Sequence, residues 1–115
     1  MMVSRRQVWL TSLDDIRVGR EQEGTRPALV ISDDIYNNGP SEKAIVLPLT
    51  SRETGIPYHI EVGPKEGGLK KRSFIACDQI QTISRKRFVE PWGSVTHETM
   101  IKVEEVLRAL IFPPS

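Results

Sequence analysis

The tightest constraint on this chain is the spacing of its short apolar runs. They are rich in β-branched residues, and turn signals cut each one off before it reaches the length of a helix. Val8 and Leu10, then Ala28, Leu29, Val30 and Ile31, then Ala44, Ile45, Val46, Leu47 and Leu49 have strand character, and Ile56, Tyr58, Ile60 and Val62 alternate with more polar residues. Between these runs stand Gly19 and Gly24, Asn37-Asn38-Gly39-Pro40, and the turn region of residues 63–68. The period changes only after Thr96. From there Met100, Val103, Leu107, Leu110 and Ile111 recur at helical spacing, with Thr96 as N-cap, Glu98 in the first turn and Pro113-Pro114 as a stop. The pattern predicts a mainly β (β+α) fold, a small antiparallel barrel with a C-terminal helix packed on it.

In chain order, strands are expected over residues 7–11, 26–32, 44–49 and 56–62. A long β-type run over 73–83, bent or bulged along its length, and a brief strand over 88–92 follow. Pro48 places the third strand near an edge or near its own end. Asp33 opens a short helical turn. Residues 12–24, with Asp14, Asp15, Arg17, Arg20, Glu21 and Glu23, form a loop too long for a tight hairpin, the kind that usually carries function. The 115 residues suffice for one domain, 1–115, with a modest core that a dimer would supplement.

Charge and cysteine content exclude several classes. Sixteen Lys and Arg against fifteen Asp and Glu give a net charge of +1, so any nucleic-acid role must rest on local clusters. A single cysteine, Cys77, leaves no internal disulfide and no cysteine-based zinc site, and fits a reducing compartment. Cys77 lies mid-strand and reads as a small buried hydrophobe. No segment approaches membrane-span length and no leader pattern opens the chain, so a soluble cytoplasmic protein is expected.

The stock catalytic signatures fail. His59, on the outward face of a strand, and His97, at a helix start, lack metal-ligand spacing and read as surface residues. Asp33-Asp34 reads as a helix cap. Gly67-Gly68 has no Lys-Thr in register for a phosphate loop. No metal or cofactor is predicted. Arg26, Thr50 and the loop acids Glu21 and Glu23 remain. Pro27 biases Arg26 toward extended backbone at a strand entrance, while Thr50 ends another strand. If the two strands pair, both side chains reach one rim, and an Arg beside a hydroxyl suits a phosphate. Alternatively, Arg26 pairs with Glu21 or Glu23 and Thr50 is a turn residue; pattern alone leaves the two readings level. The basic clusters Lys70-Lys71-Arg72 and Arg85-Lys86-Arg87 could line a groove for a nucleic-acid backbone, but read more readily as solvated turns.

Three linked motifs separate these readings. Gly19-x-Glu21-Gln22-x-x-x-Arg26-Pro27-Ala28-Leu29-Val30, then Val46-x-Pro48-x-Thr50-Ser51, then Cys77-Asp78-Gln79-Ile80-x-Thr82-Ile83 resemble the MazF/PemK family of toxin endoribonucleases in order and spacing. The resemblance spans nearly the whole chain. It implies an SH3-like barrel of the CcdB/MazF kind, a homodimer, and metal-independent cleavage of single-stranded mRNA through 2′-OH attack. It also implies inhibition by a cognate antitoxin with an acidic, partly disordered tail. By position, the catalytic Arg and Thr fall on Arg26 and Thr50 and the motif Glu on Glu21, while Gln22, Ser51, Asp78 and Gln79 correspond to RNA-binding positions. Where the family commonly carries Arg-Gly-Asp, this chain has Arg5-Arg6-Gln7. The rival reading is a topoisomerase poison of the CcdB type, which acts by protein binding and has no need of the Arg26 and Thr50 motifs.

Overall fold

A computed structural model describes residues 1–12 and 24–115. Among these, seven strands form one antiparallel sheet: β1 (Gln7–Ser12), β2 (Thr25–Val30), β3 (Lys43–Thr50), β4 (His59–Val62), β5 (Ser73–Ala76), β6 (Gln81–Ser84) and β7 (Phe88–Ser94). The order is β4-β5-β3-β2-β1-β7, with β6 paired to the first half of β3. A four-residue helix, α1 (Asp34–Asn37), follows β2, and α2 (His97–Ile111) ends the fold. Asp33 caps α1 by accepting from Ile35 N at 2.8 Å, and Thr96 caps α2 by accepting from Thr99 N at 3.1 Å.

Both faces of the central strands are covered, which explains why β2 and β3 read as continuous apolar runs. Leu29, Leu47 and Leu49 point to one cluster with Val8, Ile75 and Cys77, roofed by Met100 and Val103 of α2. Ala28, Val30, Ala44 and Val46 point the other way, onto Val3, Trp9, Ile83 and Phe88. There the rings of Trp9 and Phe88 meet edge to face at 5.4 Å. The core is therefore double, where the sequence suggested a single modest one.

Three expectations are corrected and one open alternative is decided. Pro48 lies near the end of β3, two residues before Thr50, and β3 is a central strand, not an edge. Ile31 N donates to Ile45 O at 3.0 Å, so odd-numbered residues of β3 bond β2 and even-numbered ones face the other neighbour. On that side pairing passes from β6, ending at Val46, to β5, beginning at Leu49. Pro48 sits in the gap, where no N–H is needed. The run 73–83 is two strands separated by a 3-10 turn, Cys77–Gln79, which produces this change of neighbour. The fourth strand begins at His59 instead of residue 56. The last strand is longer than expected, because β1 gives Phe88–Ser94 a partner along its length, with two register shifts.

The Arg5-Arg6-Gln7 departure is accommodated. Arg6 sits at φ 82°, a region that favours glycine, and its guanidinium donates to Val95 O from Nε (3.1 Å) and Nη2 (2.9 Å). Gln7 Oε1 accepts from Ser4 N at 2.7 Å and from the indole of buried Trp9 at 2.8 Å.

One carboxylate ties the end of α2 to the sheet. Glu66 Oε2 accepts from Thr96 N (2.9 Å), from the Thr96 hydroxyl (3.2 Å) and from the Thr99 hydroxyl. It thereby serves the positive end of the helix. Burial works to raise the Glu66 pKa, but the bonds from Thr99 and Thr96 outweigh it and hold the carboxyl below its usual range. Its contribution is accordingly full above the unfolded pKa and lost as pH falls through the lower folded value. Glu66→Gln should cost about 1–2 kcal/mol at pH 7. In urea melts from about pH 6 to 3, the variant should lose less stability on acidification than the wild type. Gln7→Ala, which orphans the Trp9 indole, should cost about 1–3 kcal/mol in the same melts.

Candidate functional site

Arg26 and Thr50 stand where the β2–β3 ladder runs out at the rim of the sheet. The register ends at Ala28 with Pro48; continued two residues further along each strand it would bring Arg26 opposite Thr50, and both residues line the same two clefts. Opposed residues of an antiparallel pair project to the same face. Thr11 Oγ1 donates to Arg26 O at 2.9 Å, pinning the backbone beneath the guanidinium to β1. Thr50 Oγ1 accepts from Arg52 N at 3.1 Å, so its own proton is left without an acceptor among the described residues.

The guanidinium of Arg26 is half-buried and has no hydrogen-bond or ion-pair partner among the described residues. Most other arginines are used structurally. Arg5 pairs with Glu104 at 2.7 Å, and Arg72 pairs with Glu61 and Glu53 at 2.5 and 3.3 Å while lying over the Phe74 ring. Arg85 and Arg87 donate to the carbonyls of Met1 and Ser12. An unpaired guanidinium beside an unengaged hydroxyl proton is a receptor for a tetrahedral oxyanion, since both groups are donors aimed at one place.

Two adjoining clefts meet at this pair. One, of about 380 Å³, is lined by Pro27, Leu49, Ser51, Leu69, Lys70, Lys71 and Trp92 besides Arg26 and Thr50. The other, of about 370 Å³, adds Pro48, Arg52, Thr54, His59 and Gln79 to the same two residues. Arg52, Lys70 and Lys71 are exposed and, like Arg26, have no side-chain ion-pair partner among the described residues. The protein is nearly neutral overall, yet this rim gathers four unpaired cations.

The chain matches the family of PemK-like, MazF-like toxins of type II toxin–antitoxin systems over residues 4–111. It is 37% identical over 110 residues to the endoribonuclease EndoA of Bacillus subtilis, covering 94% of this chain and 93% of that protein. It is 34% identical over 108 residues to the endoribonuclease MazF of Staphylococcus epidermidis, covering 92% and 88%. The chain belongs to this toxin family. Solved structures agree on the fold: a mycobacterial endoribonuclease in complex with its cognate antitoxin (TM-score 0.78, 24% identity, 98% of each chain) and MazF of Deinococcus radiodurans (TM-score 0.78, 24% identity, 96% and 97%).

Of the residues singled out in the sequence, this toxin brings Arg26, Thr50, Ser51 and Gln79 to the two clefts. Asp78 lies in the turn beside them, its Oδ1 3.1 Å from His59 Nε2. Glu21 and Gln22, like Glu23 and the rest of 13–23, lie outside the described residues. Cys77 is buried at 1% exposure, and burial together with the Asp78 charge pushes its thiol up to about 12, so it is no nucleophile.

His59 is a correction. Its side chain is only 5% exposed, with Nδ1 3.1 Å from Thr54 Oγ1 and Nε2 3.1 Å from Asp78 Oδ1. The alternation of residues 56–62 pointed it outward, but the Cys77–Gln79 turn folds over that side and covers it. Arg52 and Trp92 were also missed: one followed a strand end and the other sat in a strand taken as brief. His59→Ala should lower unfolding free energy by about 1–3 kcal/mol in urea, since it removes a buried ring and two hydrogen bonds. His97→Ala, at an exposed helix start, should stay within about 0.5 kcal/mol.

Proposed function

We propose that this toxin cleaves single-stranded RNA at Arg26 and Thr50, without a metal ion, in a sequence-specific manner that inhibits translation and growth. The observation that carries the reading is the half-buried, unpaired Arg26 guanidinium set opposite the free hydroxyl proton of Thr50. The activity is carried over from relatives that are endoribonucleases at 37% and 34% identity, and the family match sets aside the topoisomerase-poison alternative.

In the proposed step the RNA's own 2′-oxygen attacks the adjacent phosphorus. The O2′–P bond forms and the P–O5′ bond breaks, giving a 2′,3′-cyclic phosphate and a 5′-OH. Thr50 donates to a non-bridging oxygen. Arg26, charged at any working pH, stabilises the dianionic phosphorane with its planar fork of donors and delivers a proton to the departing O5′. Glu21, in the segment between β1 and β2, takes the 2′-OH proton, and Gln22, Ser51, Asp78 and Gln79 contact flanking nucleotides. His59 holds Asp78 in place for that contact.

The proposal extends to partners. A toxin of this family works against a cognate antitoxin, and an acidic antitoxin tail would seat on the same four unpaired cations. A homodimer, and residence in the cytoplasm where mRNA is found, complete the reading. No helix among the described residues is long and apolar enough to cross a membrane.

Arg26→Ala should lower the single-turnover cleavage rate by about 10²–10³ or more, with urea stability no lower than wild type and antitoxin binding weakened but not lost. Thr50→Val should also lower that rate, with Thr50→Ser recovering much of it because the hydroxyl proton is restored. Rates within a few-fold of wild type in both Arg26→Ala and Thr50→Val would refute the assignment.

A further inference from the structure

The larger cleft has a composition that phosphate binding alone does not require. Its floor is apolar, made by Pro27, Leu49, Leu69 and Trp92, while Lys70 and Lys71 stand exposed at its mouth. Trp92 is half-buried, and its indole N–H has no hydrogen-bond partner among the described residues. Its position is rigidly set. Gly68, at φ +74°, packs so closely that a Cβ there would lie 2.1 Å from Trp92 O. A Cβ on Gly93 would lie 2.9 Å from Gly67 C. The fold thus excludes side chains at both positions and brings the Glu66–Gly68 turn directly against Trp92.

We propose that this cleft is a nucleobase subsite, which takes the base of a nucleotide flanking the scissile phosphate onto Trp92 while Lys70 and Lys71 hold the next phosphate along the strand. The inference rests on the RNA-cleaving reading and specifies one side of it. An aromatic platform framed by cations is the usual receptor for single-stranded nucleic acid, because every base offers a π-face and every linkage a negative charge. Arg26 and Thr50 line the wall of the same cleft, so a strand with its phosphate on that pair has its neighbouring nucleotide at the mouth. Of the basic cluster Lys70-Lys71-Arg72, the fold divides the work: Arg72 is committed to Glu61, Glu53 and Phe74, and only the two lysines face the cleft. The unengaged indole N–H adds a donor for a base or phosphate oxygen.

The test uses the full chain and a 2′-O-methyl oligonucleotide, which cannot be cut, carrying the sequence around a cleavage site mapped with wild-type protein. Binding is followed by the anisotropy of a fluorophore on the oligonucleotide, with tryptophan fluorescence read alongside in the wild type, and single abasic positions are walked along the strand. One abasic position next to the scissile linkage should weaken wild-type binding about 10-fold and abolish the quench. The same position should cost Trp92→Leu, which keeps apolar packing, nothing further. Lys70→Gln with Lys71→Gln, both exposed and so without consequence for folding, should make the slope of log Kd against log salt shallower by about 1.4.

Equal abasic costs in wild type and Trp92→Leu, or an unchanged salt slope in the double variant, would overturn the subsite. So would loss of binding to a polyglutamate-containing peptide in the lysine variant with RNA binding untouched, which would assign the cleft to an acidic protein segment. A wild-type protein that cuts no RNA would instead overturn the reading beneath it.

Discussion

The constraint on which the site depends is the pairing of β2 with β3. Its register, continued two residues past Ala28 and Pro48, would bring Arg26 opposite Thr50, and its parity sends odd residues into the cluster under α2 and even ones into the cluster around Trp9. A one-residue slip would exchange the two faces, driving Leu29 into the cluster around Trp9 and leaving Ala28 and Val30 to fill its place under α2, so that both cores would be mispacked. The core therefore fixes the chemistry. Nothing in the Arg26–Thr50 pair needs to hold itself in place, because the apolar residues on either side of the ladder already do.

That division of labour accounts for the electrostatics. Some charges on the outer surface are neutralised in place, as with Arg5 and Glu104 or Arg72 and Glu61. Arg26, Arg52, Lys70 and Lys71 have no ion-pair partner among the described residues and line two adjoining clefts. In a protein of net charge +1 this local imbalance is what can draw in a polyanion. Leaving a half-buried guanidinium unpaired sacrifices some stability, in keeping with a group reserved for an external anion.

Much of this was legible in the sequence, for reasons that can be named. α2 was visible because its period and its Thr96 cap are local signals, and β2 and β3 because central strands show as unbroken apolar runs. The Arg26–Thr50 meeting was legible only as a condition, since strand pairing is a long-range fact. What stayed hidden was decided by neighbours that no local pattern encodes. Pro48 marked an edge or a strand end, and which of the two was hidden: it lies near the end of β3, in the gap between two partners on one side of a central strand. His59 looked exposed by alternation, but a turn about twenty residues later covers it. Lys70, Lys71 and Arg72 looked alike in sequence, and only the fold separates the ion-paired arginine from the two lysines facing the cleft. The acids between β1 and β2, Glu21 among them, lie outside the described residues, so the proton acceptor rests on the resemblance alone.

The central claim is that the RNA supplies its own nucleophile, while the protein contributes oriented donors, charge and proton transfer but no nucleophile and no metal. The most direct test is end-group analysis of fragments produced from a long single-stranded RNA by the wild-type protein in excess EDTA. The account predicts discrete fragments, each carrying a 2′,3′-cyclic phosphate on one side of the cut and a 5′-OH on the other. Fragments ending in 3′-OH and 5′-phosphate, or RNA left intact until a divalent cation is restored, would contradict it.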